Sequence, residues 1–290
     1  MAEFLQFAFS GLTVGAIYAL IALGFTLIYN ASDVINFAQG EFVMVSGMTA
    51  VFAAAAGIPL PLAALLAIVV TVLFGILLHR LAIEPARGAS PVTLIIITIG
   101  ASILMRGLAA VFFDKNFHSL PPLAGDTPLN LGGAAILPQS IIVLIGTGII
   151  VTALWLFLNR TLMGKAMLAT AANRLAARLV GIDTSAIIGI SFVVSALIGA
   201  VGGLLATPIT LTNYAIGTLL ALKGFAAAML GGMGSPIGAV AGGLLLGLLE
   251  AFGAGYLSSQ YKDAIAFILI LAVLFAMPQG LFGRASIERV

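Results

Sequence analysis

Five ionisable residues stand in or beside long apolar runs: Asp33, Glu41, Arg106, Lys223 and Glu250. A charge at the centre of a membrane helix costs about 2.5–3.5 kcal/mol on insertion scales, so such groups face protein or water and tend to pair. Lys223 and Glu250 lie deepest in their runs and would either pair with each other or line a pathway. Asp33 and Glu41 lie near a run's end and fit an interfacial position. Arg106, late in its run, fits a side chain that snorkels outward. A proton-coupled carrier needs a relay of titrating groups, and these five are scattered, with no histidine among them. His79 and His118 are isolated and belong to no H-E-x-x-H pattern, whereas a metal needs several converging ligands. With no cysteine in the chain, disulfides, thiolate metal sites and cysteine nucleophiles are excluded. No Ser-His-acid set or carboxylate pair is legible, so the residues point away from an enzyme.

The glycine-rich segment G-G-M-G-S-P-I-G-A-V-A-G-G, residues 231–243, lacks the Lys-Ser/Thr of a phosphate loop and follows no strand. It reads as a tight turn opening a helix with a small-residue face. The stretch from Arg160 to Asp183 is different. Arg160, Lys165, Arg174 and Arg178, four of the chain's twelve Lys and Arg, fall in it. Leu168, Ala172, Leu175 and Leu179 recur at i, i+4, i+7 and i+11, which predicts one face of one helix. Arg174 and Arg178 take a neighbouring face. A short basic amphipathic helix of this kind lies on an anionic leaflet or docks in a groove of a cytosolic partner.

The elements that must position these groups are membrane helices. The chain is 62% hydrophobic and 8% charged, whereas soluble domains carry about 25% charge. Nine apolar runs, at 8–29, 42–57, 61–78, 92–113, 139–158, 186–206, 217–230, 237–256 and 264–281, predict an all-α polytopic membrane protein. About eight or nine transmembrane helices are expected, with interrupted or re-entrant segments. The loops at 79–90 and 159–185 and the tail at 284–290 are basic and share the inner face. The proline-rich loop 114–138, with Asp114 and Asp126 against Lys115, falls on the other. The N-terminus joins that outer face if 42–57 crosses, and the inner face if 30–57 is re-entrant. M-A-E-F-L-Q-F lacks the positive start of a cleaved signal peptide. N-F-A-Q-G at 36–40 echoes N-Y-A-I-G at 213–217, a weak internal repeat. Repeats around interrupted helices are how transporters place polar backbone at mid-membrane.

Three segments together resemble a known family: A-L-G-F-T-L-I-Y-N-A-S-D-V-I-N-F-A-Q-G-E-F, then G-K-A-M-L-A-T-A-A-N-R-L-A-A-R-L-V-G-I, then G-G-M-G-S-P-I-G-A-V-A-G-G-L-L-L-G-L-L-E. They are similar to the branched-chain amino acid permease family of ABC importers, H-type subunit, over residues 8–282. The resemblance implies a single permease domain, 1–290, in the bacterial inner membrane, with a cytoplasmic coupling loop at 159–185. It implies a second homologous permease, two cytosolic ABC ATPases and a periplasmic substrate-binding protein as partners, besides membrane lipid, and no nucleic acid. ATP and Mg would be bound in the partner subunits, so no cofactor is expected on this chain. Gly164, Lys165, Ala166, Ala171, Asn173, Arg174, Ala176, Ala177, Arg178 and Gly181 would form the ATPase-coupling surface, with the arginines on acidic ATPase groups or lipid. Asn36, Phe37, Gln39, Gly40, Glu41, Asn213, Tyr214 and Gly217 would line the translocation pathway. Gln39 stands where many relatives carry a histidine, and glutamine does not titrate. The implied cargo is a small zwitterion with an apolar side chain, moved by alternating access; relatives serve urea and short amides. The alternative is an ion- or proton-coupled amino acid carrier.

Overall fold

The computed structural model describes residues 2–125 and 127–283. Asp126 and the basic tail 284–290 lie outside the described residues. Each of the nine apolar runs is a helix. The order is α1 (Ala2–Ser32), α2 (Gln39–Ala55), α3 (Leu60–Leu77), α4 (Pro91–Phe112), β1 (Leu129–Leu131), β2 (Ala134–Ile136), α5 (Pro138–Arg160), α6 (Leu162–Ala172), α7 (Arg174–Leu179), α8 (Thr184–Thr210), α9 (Ile216–Gly231), α10 (Pro236–Tyr256) and α11 (Lys262–Ala276). A wider-wound π segment, Leu78–Ile83, continues α3. Among the described residues, six helices are long and apolar enough to cross a membrane: α1, α3 with its extension, α4, α5, α8 and α10. The other three runs form α2, α9 and α11, of 17, 16 and 15 residues, below the about 20 a full span needs. The expected eight or nine spans therefore resolve into six full spans and three shorter helices.

The helix starts follow from local chemistry. Ser90, Asp183 and Ser235 each accept a hydrogen bond from a first-turn amide of α4, α8 and α10. Pro91 and Pro236 occupy first helical positions, where a missing N–H costs nothing. Helix α1 forms the centre, buried from Gly15 through Ile28. It meets α10 along a seam of small residues. A Cβ added to Gly11 or Gly15 would come within 2.9 Å of the α10 backbone, and Gly243 and Gly247 press back on α1 in the same way. In lipid, close backbone packing of this kind replaces the hydrophobic drive.

The outer loop departs from the all-α reading. β1 and β2 form an antiparallel hairpin pairing Leu129 with Ile136 and Leu131 with Ala134. Its two-residue turn is Gly132-Gly133, both at positive φ, as the twist of a tight hairpin demands. The side chain of Gln6 donates to the Ala135 carbonyl at 3.0 Å and accepts from its amide at 2.8 Å. The start of α1 is thereby tied to the proline-rich face, while its end meets Arg174 on the basic face. This answers the question the cations left open: the N-terminus lies on the face opposite the basic loops. Helix α8 runs the other way. It begins beside Arg178, and Thr212 beyond its end pairs with His118 of the outer loop, both amide-to-carbonyl bonds being 2.8 Å.

Candidate functional site

The two sequence echoes are one backbone device used twice, in opposite directions. A long helix, α1 or α8, ends in a residue with left-handed backbone: Asp33 at φ 56 and Leu211 at φ 58, the two such non-glycine residues among those described. An asparagine then forms the turn. Asn36 Oδ1 accepts from the Ala38 amide at 3.1 Å, and Asn213 Oδ1 accepts from the Ala215 amide at 3.1 Å. Side-chain oxygens of Asn substitute for a backbone acceptor in this way. A short helix starts at once, α2 after the first turn and α9 after the second. The two starts touch: a Cβ on Gly40 would strike the Gly217 carbonyl, and one on Gly217 would strike the Glu41 carboxylate. Two positive helix ends thus converge on one acid.

Glu41 is fully buried. Its Oε1 accepts from Ser102 Oγ at 2.8 Å and lies 3.5 Å from Thr218 Oγ1. Arg106 Nε stands 3.6 Å from the same oxygen, longer than a hydrogen bond. Glu41 Oε2 and Arg106 Nε have no hydrogen-bond partner among the described residues. Two expectations change here. Glu41 is not interfacial, because its helix starts inside the protein instead of at its edge. Arg106 does not snorkel away, because it faces that carboxylate.

Of the other expected pathway residues, Asn36, Gln39, Gly40, Asn213 and Gly217 are buried, while Phe37 and Tyr214 are half-buried. Gln39 is held by Ser195, whose Oγ donates to Oε1 at 2.6 Å and whose carbonyl accepts from Nε2 at 3.3 Å. Phe37 packs tilted against Phe225 at 5.4 Å and edge-on against Phe25 at 6.3 Å between ring centres. Its amide donates to Thr98 Oγ1. Thr98, Ser102 and Thr218 went unrecognised in the sequence, and Arg106 was seen without its partner. The available signal was a polar stripe in α4: Thr98, Ser102 and Arg106 recur every four residues.

Of the two readings of Lys223 and Glu250, the structure shows the pairing. Lys223 Nζ donates to both Glu250 oxygens, at 2.8 and 2.9 Å, to Asp263 Oδ1 at 2.6 Å and to Tyr18 Oη at 3.0 Å. Tyr18 Oη in turn donates to Glu250 at 2.9 Å. The group ties α1, α9, α10 and α11 together.

On the basic face the single helix expected over residues 168–179 is broken. Asn173 is extended, at φ −161, and its side chain caps α7 by accepting from the Ala176 amide. Leu168 and Ala172 therefore belong to one helix, Leu175 and Leu179 to another. Leu162, Met163, Leu168, Leu175, Leu179 and Val180 are all exposed. Gly181, at φ 88, closes α7, with its own amide bonded to the Arg178 carbonyl and the Ile182 amide to that of Ala177. Gly164 and Ala177 are buried and Ala166 half-buried, while Lys165, Ala171, Asn173, Arg178 and Gly181 are exposed. Arg174 donates to the Ala31 carbonyl at 2.7 Å and to Asp33 at 3.2 Å. Arg178 donates to Thr184 Oγ1 at 2.8 Å. Both arginines thus hold partners within the chain. Beside α6 lies a groove of about 490 Å³, walled by Leu168, Ala171, Asn30 and Met233.

A family model described as the branched-chain amino acid transport system / permease component matches residues 7–274. The chain belongs to this family. The permease is 37% identical to the high-affinity branched-chain amino acid transport system permease protein BraD of Pseudomonas aeruginosa, over 99% of this chain and 98% of the relative. It is 36% identical to the corresponding LivH protein of Escherichia coli K12, over 99% and 98%. It is 30% identical to a probable LivH permease of Methanocaldococcus jannaschii, over 91% and 88%. Among solved structures, a chain of PsaBC from Streptococcus pneumoniae in complex with Fab superposes with a TM-score of 0.53 at 14% identity, covering 95% of this chain and 92% of that one. At that identity the likeness is one of fold alone.

Proposed function

We infer that this permease is the membrane subunit of an ATP-driven importer, carrying branched-chain or similar small amino acids across the bacterial inner membrane. The observation that carries the reading is the near-full-length identity to BraD and LivH. The inverted pair of interrupted helices meeting at Gly40 and Gly217 agrees with it, since transport routes run between such repeats.

The working unit is this chain with a second permease, two cytosolic ATPases and a periplasmic binding protein. ATP and Mg belong to the ATPases, and no cofactor is assigned to this chain. The broken α6–α7 segment seats on an ATPase through its exposed apolar side chains, with Lys165, Ala171, Asn173, Arg178 and Gly181 at the contact. Gly164 and Ala177 act behind it, letting α6 and α7 lie close on the membrane helices. Arg174 passes the motion inward, because it grips the end of α1 just ahead of the first asparagine turn. Asn36 to Glu41 and Asn213 to Gly217 flank the route. Co-purification with ATPase subunits and leucine uptake into proteoliposomes, driven by ATP and loaded binding protein, tests the assignment. Uptake by this chain alone on an ion gradient would overturn it in favour of a coupled carrier.

A further inference from the structure

We propose that Glu41 and Arg106 form a partner-exchange site for the charged end of an α-amino acid, a proposal that rests on the importer reading above. Glu41 has none of its surface exposed, yet one carboxylate oxygen, Oε2, lacks a hydrogen-bond partner among the described residues. The nearest cation, Arg106, approaches only the other oxygen, at 3.6 Å, with its side chain 31% exposed. Its Nε is also without a partner. A buried acid with an unused oxygen beside a loosely held guanidinium is costly to keep. The Lys223 group shows that this chain builds close ion pairs elsewhere, at 2.8 Å. Of the two buried glutamates, Glu250 is thus closely paired and Glu41 is not.

An α-amino acid carries an ammonium and a carboxylate on one carbon. Its ammonium fits Glu41 Oε2, and its carboxylate fits the planar fork of Arg106. One long ion pair is then replaced by two close ones, and the summed charge of the site stays zero. That removes most of the cost of bringing a zwitterion into low dielectric. Ser102 and Thr218 keep Oε1 satisfied throughout the exchange. The side chain of the ligand meets Phe37 and Phe225, which are half-buried and precede Glu41 and follow Thr218 toward the basic face. Opening of the Gly40–Gly217 contact admits the ligand, so occupancy follows the movement of α2 against α9.

The test uses the assembled transporter in proteoliposomes, with leucine as cargo and two readouts: ATPase stimulation by leucine-loaded binding protein, and leucine uptake. Glu41→Gln and Arg106→Gln are each expected to lower uptake by about tenfold or more, with stimulation of the ATPase retained. Arg106→Lys, which keeps the charge and loses the fork, is expected to fall between. Uptake at the wild-type rate in both Gln variants overturns the exchange site. A parallel fall of stimulation and uptake also overturns it, since that marks a structural or coupling role. Should Glu41→Gln fail to assemble, Arg106→Gln, at its half-exposed position, decides alone. A wild-type complex without binding-protein-dependent uptake overturns the importer reading and this proposal with it.

Discussion

The first and second asparagine turns share a backbone and differ in charge. Each follows a left-handed residue, each closes on an Asn oxygen 3.1 Å from an amide two residues on, and each opens a short helix. After the first glycine comes Glu41; after the second comes Thr218. The acid of the second half comes instead from α10, as Glu250, and is closed by Lys223 at 2.8 Å. The acid of the first half is met by Arg106 at 3.6 Å. One fold thus holds a tight ionic group that fastens helices and a loose one at the meeting point of the halves. Each turn is also gripped from its own side of the membrane, the first by Arg174 and the second by the His118–Thr212 bridge.

The contrast can be broken most strongly at Lys223. Lys223→Met takes the nearest cation from Glu250 and Asp263 and leaves Lys262 Nζ 3.7 Å from Glu250; an expected loss of about 3 kcal/mol is read as a drop in the melting temperature of purified protein. Arg106→Gln removes a cation that already stands 3.6 Å away, so its loss is expected to be smaller; equal losses at the two sites would erase the difference between a tight and a loose pair. Gly40→Leu and Gly217→Leu test the contact between halves. Each forces backbone apart at a cost of about 1–3 kcal/mol or more, and uptake should fall to background in both. Asn36→Ala and Asn213→Ala sharpen the likeness of the turns: each removes one hydrogen bond, about 1 kcal/mol, and the two melting shifts should agree. The smallest effect concerns the outer loop. His118 Nε2 lies 2.7 Å from Asp114, and this hydrogen bond holds the Asp114 carboxyl below its usual range. A lowered folded value means the contribution is present above the ordinary carboxylate pKa and fades as pH falls through the folded one. The melting difference between wild type and His118→Ala should therefore shrink on acidification; a difference that grows would reverse the assignment.

Much of this was readable from residue order, and the failures have physical causes. The nine apolar runs, the pairing of Lys223 with Glu250 as one of two readings, and the Asn-x-Ala echo all rest on local composition or on the cost of a lone charge in lipid, and they appear in the fold. The helix over 168–179 failed because periodicity ignores capping: Asn173 competes for backbone amides and wins, starting α7 afresh. Glu41 fits an interfacial position only while distance from a run's end equals distance from the interface, and a helix that begins inside the protein breaks that equivalence. Arg106 lacked a partner because its acid sits on another helix, and spacing within one helix carries no record of that. Nor did composition indicate the hairpin at 129–136, although its Gly132-Gly133 turn was visible.

The Lys223–Glu250 pair also constrains how the chain is made. The two residues are separated by 27 positions, so the lysine leaves the ribosome well before the carboxylate that neutralises it. A lone ammonium enters lipid poorly. Helix α9, already short, is therefore expected to wait at the translocon and to enter the bilayer together with α10, as one hairpin delivered by the synthesis of the next segment.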